Sequence, residues 1–401
     1  MRAFSMRAVL LGAALATVGP AFAQGAPASG PSPAVVKMRW QWLNPEINSF
    51  TFRDTDKVFE SRPVKRAGSV WSLRRGTPMV MPSIEFGGET RGYQRFAEET
   101  FTNALLVIRD GRVVFEDYRN KSAGGTHFIS FSMAKTITAM LVGIALEEGK
   151  IASLDDRADR YVPELKGTGY DGVTIRQIMQ MRSGVDYQER YDFGDHPSFA
   201  GKLHEQAIIL NKMRFAAGAL ETRRANTPGS TFNYSTLDTM LIGWVLENAT
   251  GEKLEDFTQR TLWGPLGAEA DAFWLADGPP GNGRALNGMG YNAVLRDFGR
   301  LGQLMLDDGK RGAKRILPAG WVKQMTTMLP TGESMPGYGL FTWQIDHEPG
   351  AFSAVGLAGQ FIYVSPQTRT VIVKLSYYPP VEPETALPET VAFFKAVAHA
   401  R

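Results

Sequence analysis

Runs of β-forming residues stand near both ends of this chain with helical text between them, and that distribution constrains the fold more than any other feature. In "NALLVIRDGRVVFEDYRN", residues 103 to 120, two such runs flank Asp110-Gly111, a dipeptide suited to a tight hairpin turn, so two antiparallel strands are expected. Toward the other end "GYGLFTWQID", "GQFIYVSP" and "TVIVKLSYY" supply three more strands, and "ETVAFFKAVAHAR" closes the chain as an amphipathic helix. Between about residues 155 and 280 helical patterns dominate, among them "TIRQIMQMRS" and "STLDTMLIGWVLENATG", the latter stopping at Gly251. The reading is one sheet assembled from distant parts of the chain, with a helical lobe inserted between its halves.

The amino terminus reads differently. Arg2 and Arg7, an apolar stretch from Ala8 to about Val18, and the small-residue pattern Ala21-Phe22-Ala23 describe a secretory signal over residues 1–23. An uncleaved anchor is the alternative, but the stretch is shorter than the roughly 20 residues a spanning helix needs, so a periplasmic or secreted protein without stable membrane insertion is expected. Residues 24–36, rich in Gly, Pro and Ser, read as a flexible linker ahead of one folded domain over 37–401, with structure beginning near Met38. From there to about residue 95 the text is mixed, with "INSFTF" and "SVWSLRRG" as weak extended pieces.

Composition removes several functions. Lys plus Arg (44) nearly balance Asp plus Glu (41) and are scattered, so no nucleic-acid partner is expected. The absence of cysteine excludes a thiol nucleophile, a thiolate metal site and a lipidated cysteine anchor. The five histidines never fall at i, i+4 spacing and no His-Glu-x-x-His run occurs, so neither a metal nor a cofactor is called for.

Residues 128 to 150, "FISFSMAKTITAMLVGIALEEGK", predict a largely buried helix from about Ser132 to Glu148. Helical spacing puts Lys135 one turn from Ser132 on the same face, at the end where free backbone N–H groups support a developing oxyanion. A lysine desolvated near the positive end of a helix favours its neutral form, and a neutral amine can take a serine proton. The alternative is a capping serine followed by a solvent-facing lysine, and spacing alone does not separate the two.

Context comes from further along the chain. In "NTPGSTFNYSTLDTMLIGWVLENATG", Tyr234 stands at a loop-to-helix junction from which a phenol can relay a proton, although such a tyrosine also serves simple packing. In "AFSAVGLAGQFIYVSP", Gly356 and Gly359 mark either a close backbone approach to a ligand or tight packing. No Gly-x-Ser-x-Gly elbow occurs.

Taken in this order, "SMAK", "NYST" and "AVGLAGQ" resemble the class C β-lactamase-like serine hydrolases, on the esterase and 6-aminohexanoate-dimer hydrolase side, over about residues 95 to 380. The resemblance implies an α+β fold, an antiparallel sheet flanked by helices with a separate helical lobe and a cleft between them. It also implies Ser132 as acylated nucleophile, Lys135 as its base, Tyr234 as proton carrier, and the N–H groups of Ser132 and Leu357 beside Gly356 as the oxyanion hole. Two positions depart from the β-lactamase pattern: Thr236 stands where that motif has asparagine, and Ala354 where it has lysine. Without that lysine's charge, penicillin-like carboxylates lose a partner. The expected substrate is a small ester or linear amide; a D-alanyl peptidase or β-lactamase, and an inactive envelope-binding module, are the alternatives.

Overall fold

The computed structural model describes residues 30–400. The expected signal over 1–23 and residues 24–29 of the linker lie outside the described residues. The elements that carry the site are helices α1 (Pro33–Gln41), α2 (Met133–Glu147), α3 (Thr236–Thr250), α4 (Leu295–Leu306) and α5 (Ala386–His399). The strands are β1 (Ser61–Val64), β2 (Arg74–Arg75), β3 (Thr102–Arg109), β4 (Arg112–Tyr118), β5 (His127–Ile129), β6 (Ala272–Leu275) and β7 (Tyr291–Val294). The carboxy-terminal third adds β8 (Leu329–Pro330), β9 (Gly337–Tyr338), β10 (Trp343–Gln344), β11 (Phe352–Gly356), β12 (Gln360–Ser365) and β13 (Thr370–Ser376).

The larger sheet runs β8-β9-β10-β11-β12-β13-β3-β4-β2, antiparallel except for the short β2–β4 pair. Its two halves, far apart in sequence, meet at β13 and β3, where Val373 faces Leu106. This is the sheet built from both ends of the chain that the strand pattern predicts. Asp110 and Gly111 both have positive φ (48° and 71°), which matches the strand twist and joins β3 to β4 with Arg109 opposite Arg112.

β12 and β13 are buried along their full length, and β3 is buried but for its last residue, because helices cover both faces. On one face the missing side chains of Gly299 and Gly302 let α4 lie close, since a Cβ there would stand 2.5 Å from Leu106 and 2.4 Å from Val371. On the other face α5 brings Phe394 onto Phe361 and Tyr363, whose side chains alternate with that of Ile362, which packs under Gly302. Mixed helix and sheet content in this arrangement is the α+β class expected.

A second sheet, β1-β6-β7-β5, lies beside the start of α2. Its last strand is extended by the amino-terminal segment: Ile129 donates to Phe52 O at 3.0 Å and Asp54 to His127 O at 3.3 Å.

The amino-terminal region corrects two expectations. α1 begins at Pro33, inside the linker placed over 24–36 and ahead of Met38, because Ser32 accepts from Val35 N and Pro33 presets φ for the first turn. Buried Arg39 then anchors the helix by donating to Val58 O, Ile208 O, Ile209 O and Asn211 Oδ1. "INSFTF" contains a single helical turn, Asn48–Thr51, and no strand. The buried Asn48 amide donates to Tyr377 O and Tyr378 O at 3.1 and 3.0 Å, and these contacts override the β propensity of its neighbours.

α2 is held from outside by Trp321, whose indole Nε1 donates to Ala139 O at 3.1 Å, and a Cβ on Gly143 would fall 2.4 Å from the same ring. Gly143→Ala therefore has to displace a buried tryptophan. We expect a loss of about 1–3 kcal/mol, more than the roughly 1 kcal/mol gained in helix propensity, read as a lower urea midpoint at unchanged m-value. An unchanged midpoint would show that Trp321 moves without cost.

Candidate active site

The chain enters α2 through a strained turn. Ser130 N donates to Tyr291 O at 2.8 Å, which fixes the backbone beside β7, and Phe131 then takes φ 42°, a conformation that costs a non-glycine residue roughly 1–3 kcal/mol. Aromatic packing holds it there. Its ring centroid lies 5.3 Å from that of Trp42 and 4.9 Å from that of Phe52, so the amino-terminal segment that the sequence left unassigned fixes the residue before Ser132.

Ser132 occupies the N-cap position of α2, yet its side chain makes no capping hydrogen bond, and Lys135 is only 1% exposed. Both halves of the capping-serine, solvent-lysine alternative fail. Lys135 Nζ lies 2.8 Å from Ser132 Oγ, 3.1 Å from Thr236 Oγ1 and 2.8 Å from Gly288 O, and as an ammonium it donates to all three. Burial lowers its pKa from 10.5 to about 8, against the opposing pull of the Glu189 charge. An amine with that pKa is about one-tenth unprotonated at pH 7, against well under a thousandth for an unperturbed lysine, and that neutral form can accept a proton from a hydroxyl at this distance.

α3 supplies the other side. Ser235 caps it by accepting from Asp238 N, which places Tyr234 just before the first turn and Thr236 at its start. The Tyr234 ring lies with its centroid 4.9 Å from Lys135 Nζ and is stacked on Trp343 of β10. Burial raises the phenol pKa well above 10; the Ser132 hydroxyl opposes that shift and Glu189 reinforces it. Thr236 also bonds Glu189, its N–H to Oε2 at 2.8 Å and its hydroxyl to Oε1 at 2.6 Å. Asn287 ties the two helices together: its carbonyl accepts from Thr138 on α2 and its amide donates to Thr239 O on α3, which sets the neighbouring Gly288 carbonyl over Lys135.

The third motif closes the site. Gly356 ends β11 where a Cβ would sit 2.3 Å from Ser130 O and 3.2 Å from the Phe131 side chain, so its glycine is required for close approach to the turn that carries Ser132. Beyond it Ala358 and Gly359 have φ 59° and 80°, and buried Gln360 donates its amide to Leu357 O, Ala358 O and Ser376 O, holding the turn rigid. Leu357 follows β11, exposed, at the same cavity wall as Ser132.

Ser132, Tyr234, Gly356 and Leu357 all line one cavity of about 420 Å³, with Lys135 buried directly behind Ser132. The structure therefore brings all five predicted residues together. The sequence reading missed most of the rest of the wall, including Trp42, Glu189, Tyr191, Phe193, Met335 and Trp343. The hydroxyl at Thr236 was the one available hint, since a polar residue two past the tyrosine points back into the site. The wall is mostly apolar and carries three carboxylates, Glu189, Glu333 and Glu382, with no Lys or Arg. Among the described residues no cluster of His, Asp and Glu is spaced to hold a metal ion.

Comparisons with known proteins give the family and the fold. The Beta-lactamase family model matches residues 96–393. A 6-aminohexanoate-dimer hydrolase of Paenarthrobacter ureafaciens is 32% identical over 307 residues, 72% of this chain and 75% of the relative. A solved candidate 6-aminohexanoate-dimer hydrolase from Bacillus anthracis superposes with a TM-score of 0.81 at 24% identity, covering 92% of this chain and 98% of that one. A family VIII carboxylesterase has the same fold, with a TM-score of 0.59 at 16% identity over 77% of this chain and 95% of its own. The chain belongs to the β-lactamase family of serine hydrolases.

Proposed function

We propose that this protein hydrolyses a carboxylic ester or a small linear amide through an acyl-enzyme on Ser132, acting outside the cytoplasm. One observation carries the reading: a lysine amine, buried and lowered to a pKa of about 8, is held 2.8 Å from a serine oxygen at the wall of an apolar cavity. Neutral Lys135 accepts the Ser132 proton as Oγ attacks the substrate carbonyl carbon. The oxyanion forms against the backbone N–H groups of Ser132 and Leu357, which are preorganised by the helix start and by the Gln360-clamped turn.

The strained C–O or C–N bond of the tetrahedral adduct then breaks. Tyr234 hands its proton to the departing oxygen or nitrogen as it takes one from the Lys135 ammonium; with its pKa far raised, the phenol moves a proton in concert and does not dwell as phenolate. Water entering the vacated space attacks the acyl carbon, its proton returns by Tyr234 and Lys135, and Ser132 leaves with the proton restored.

The substrate class follows from the wall. A carboxylate set close to the scissile bond meets three carboxylates and no cation on the wall, which disfavours penicillins and peptide carboxy termini relative to esters and amides without one there. The relative named for the 6-aminohexanoate dimer puts linear-amide hydrolysis within the same family. Export, to the periplasm or beyond, rests on the signal pattern of residues 1–23.

Two outcomes test this. Intact-mass measurement after exposure to a fluorophosphonate should give one adduct in the wild type, none in Ser132→Ala, and labelling slowed on the order of a hundred-fold or more in Lys135→Ala. A wild type that folds and stays unlabelled would end the reading. Because the base form of Lys135 accumulates as pH rises, the acylation rate should climb about tenfold per pH unit below the lysine pKa of about 8 and level off above it. A limb near 10.5, the unperturbed lysine value, would mean the amine is hydrated in solution.

A further inference from the structure

We propose that Glu189 is a positioning residue for the base: by receiving the Thr236 hydroxyl proton it leaves Thr236 Oγ1 as an acceptor only, and so aims the lone pair of neutral Lys135 at Ser132. The inference rests on the serine-hydrolase reading above and adds to it the question of how a neutral lysine is oriented.

A neutral amine has two N–H bonds and one lone pair, and Lys135 Nζ has three neighbours. Gly288 O is a carbonyl and can only accept. Thr236 Oγ1 can in principle donate or accept, but its proton is spent on Glu189 Oε1 at 2.6 Å, which turns a lone pair toward Nζ at 3.1 Å. Both N–H bonds of the neutral amine are then taken, by Gly288 O and Thr236 Oγ1. The lone pair is left facing Ser132 Oγ at 2.8 Å, the one neighbour with a proton to give.

Were the Thr236 hydroxyl free to rotate, it could donate to the amine, and an N–H would swing onto Ser132 in place of the lone pair. Glu189 itself is held in the accepting role by three donors: Thr236 N, Thr236 Oγ1 and the Tyr191 hydroxyl. Among the described residues no charged group is hydrogen-bonded to Nζ. From the loop entering α3 Tyr234 presents its ring, and Asp238 on α3 is tied to Tyr170 and Ser183; the segment before β7 presents the Gly288 carbonyl; the loop after Tyr187 presents Glu189. Thr236 is also the position at which the tyrosine motif departs from the β-lactamase pattern.

The test is a double-variant cycle on the full mature chain. Rates of Ser132 labelling by a fluorophosphonate, and kcat and KM for p-nitrophenyl acetate, are measured from about pH 6 to 10 for wild type, E189Q, T236V, T236S and the E189Q/T236V pair. T236V should lower the plateau rate on the order of ten- to a hundred-fold and T236S should restore it, because only the hydroxyl matters. E189Q, in which an NH2 replaces one of the two oxygens that accept from Thr236 N and Thr236 Oγ1, should lower the plateau kcat with KM nearly unchanged, and in the T236V background the plateau rate should fall no further. Its acid limb should also move to lower pH, since removing the Glu189 charge leaves the ammonium less favoured.

Multiplying effects in the pair, or a rise in KM with kcat intact, would overturn the proposal by making Glu189 a substrate contact. An E189Q enzyme as fast as wild type, or with an unmoved limb, would overturn it as well. Should T236V not fold, the kcat–KM split and the limb of E189Q decide alone. A folded wild type that resists labelling would remove the hydrolase reading and this proposal together, a result distinct from failure of the relay in a labelled enzyme.

Discussion

The site depends on burying one amine without stranding it. A lysine ammonium taken out of water incurs a penalty of several kcal/mol unless its donors are matched, and the folded chain meets that demand for Lys135 from three directions: Ser132 on its own helix, Thr236 on α3, and the Gly288 carbonyl. None of the three is an anion in contact with Nζ; the nearest carboxylate, Glu189, stands behind Thr236. A direct salt bridge would have held the lysine charged. Neutral acceptors satisfy its hydrogen bonds and leave desolvation free to lower its pKa to about 8.

Much of the architecture serves to bring those acceptors together. Gly288 is placed by Asn287, which bonds α2 and α3 at once, and a Cβ on Gly243 of α3 would stand 2.4 Å from the Asn287 side chain. The start of α2 is fixed by the smaller sheet on one side and by Trp42 and Phe52 on the other. Because those rings pack on Phe131, which has positive φ, residues ahead of the matched family region form part of the frame of the candidate site. Arg39 binds that segment to the helical region through the carbonyls of Ile208 and Ile209, near His204 on the cavity wall, so both sides of the cavity share one anchor.

What the sequence made legible is what repeats locally. The Asp110-Gly111 hairpin, the α2 and α3 helices with their stops, and β12 and β13 follow from periodicity and turn chemistry and are present in the structure, whereas "GYGLFTWQID" is no single strand but the two-residue strands β9 and β10 either side of a turn in which Phe341 has φ 52°. Ser132, Lys135 and Tyr234 stood out as candidates because the first two share one helical turn and the third precedes an apolar helix, and their roles came with the resemblance carried by "SMAK", "NYST" and "AVGLAGQ". Glu189 left no such trace: it lies in a polar loop, "YQERYDFGDHPS", whose text is that of any solvated connection, and only the fold brings it to Thr236, 47 positions on. Trp42 and Asn48 escaped for a related reason. Their conformations are set by long-range contacts, Asn48 with Tyr377 and Tyr378, and not by their neighbours in the chain.

A second buried lysine shows which of these features confers chemistry. Lys374, fully buried on β13, donates to Thr100 O at 2.8 Å and to Ser376 Oγ, with the Tyr378 hydroxyl 3.5 Å away, and burial lowers its pKa well below 10.5. It thus repeats the serine, lysine and tyrosine of the site with comparable distances and the same physical cause for its shift. The difference is access. Its serine and tyrosine are 2% and 1% exposed, neither lines the cavity, and Ser376 extends a strand in place of opening a helix. Proximity of the three groups is therefore common property of a well-satisfied buried lysine. What sets Ser132 apart is that the same arrangement sits at a helix start, against a cavity, with the Leu357 turn across from it.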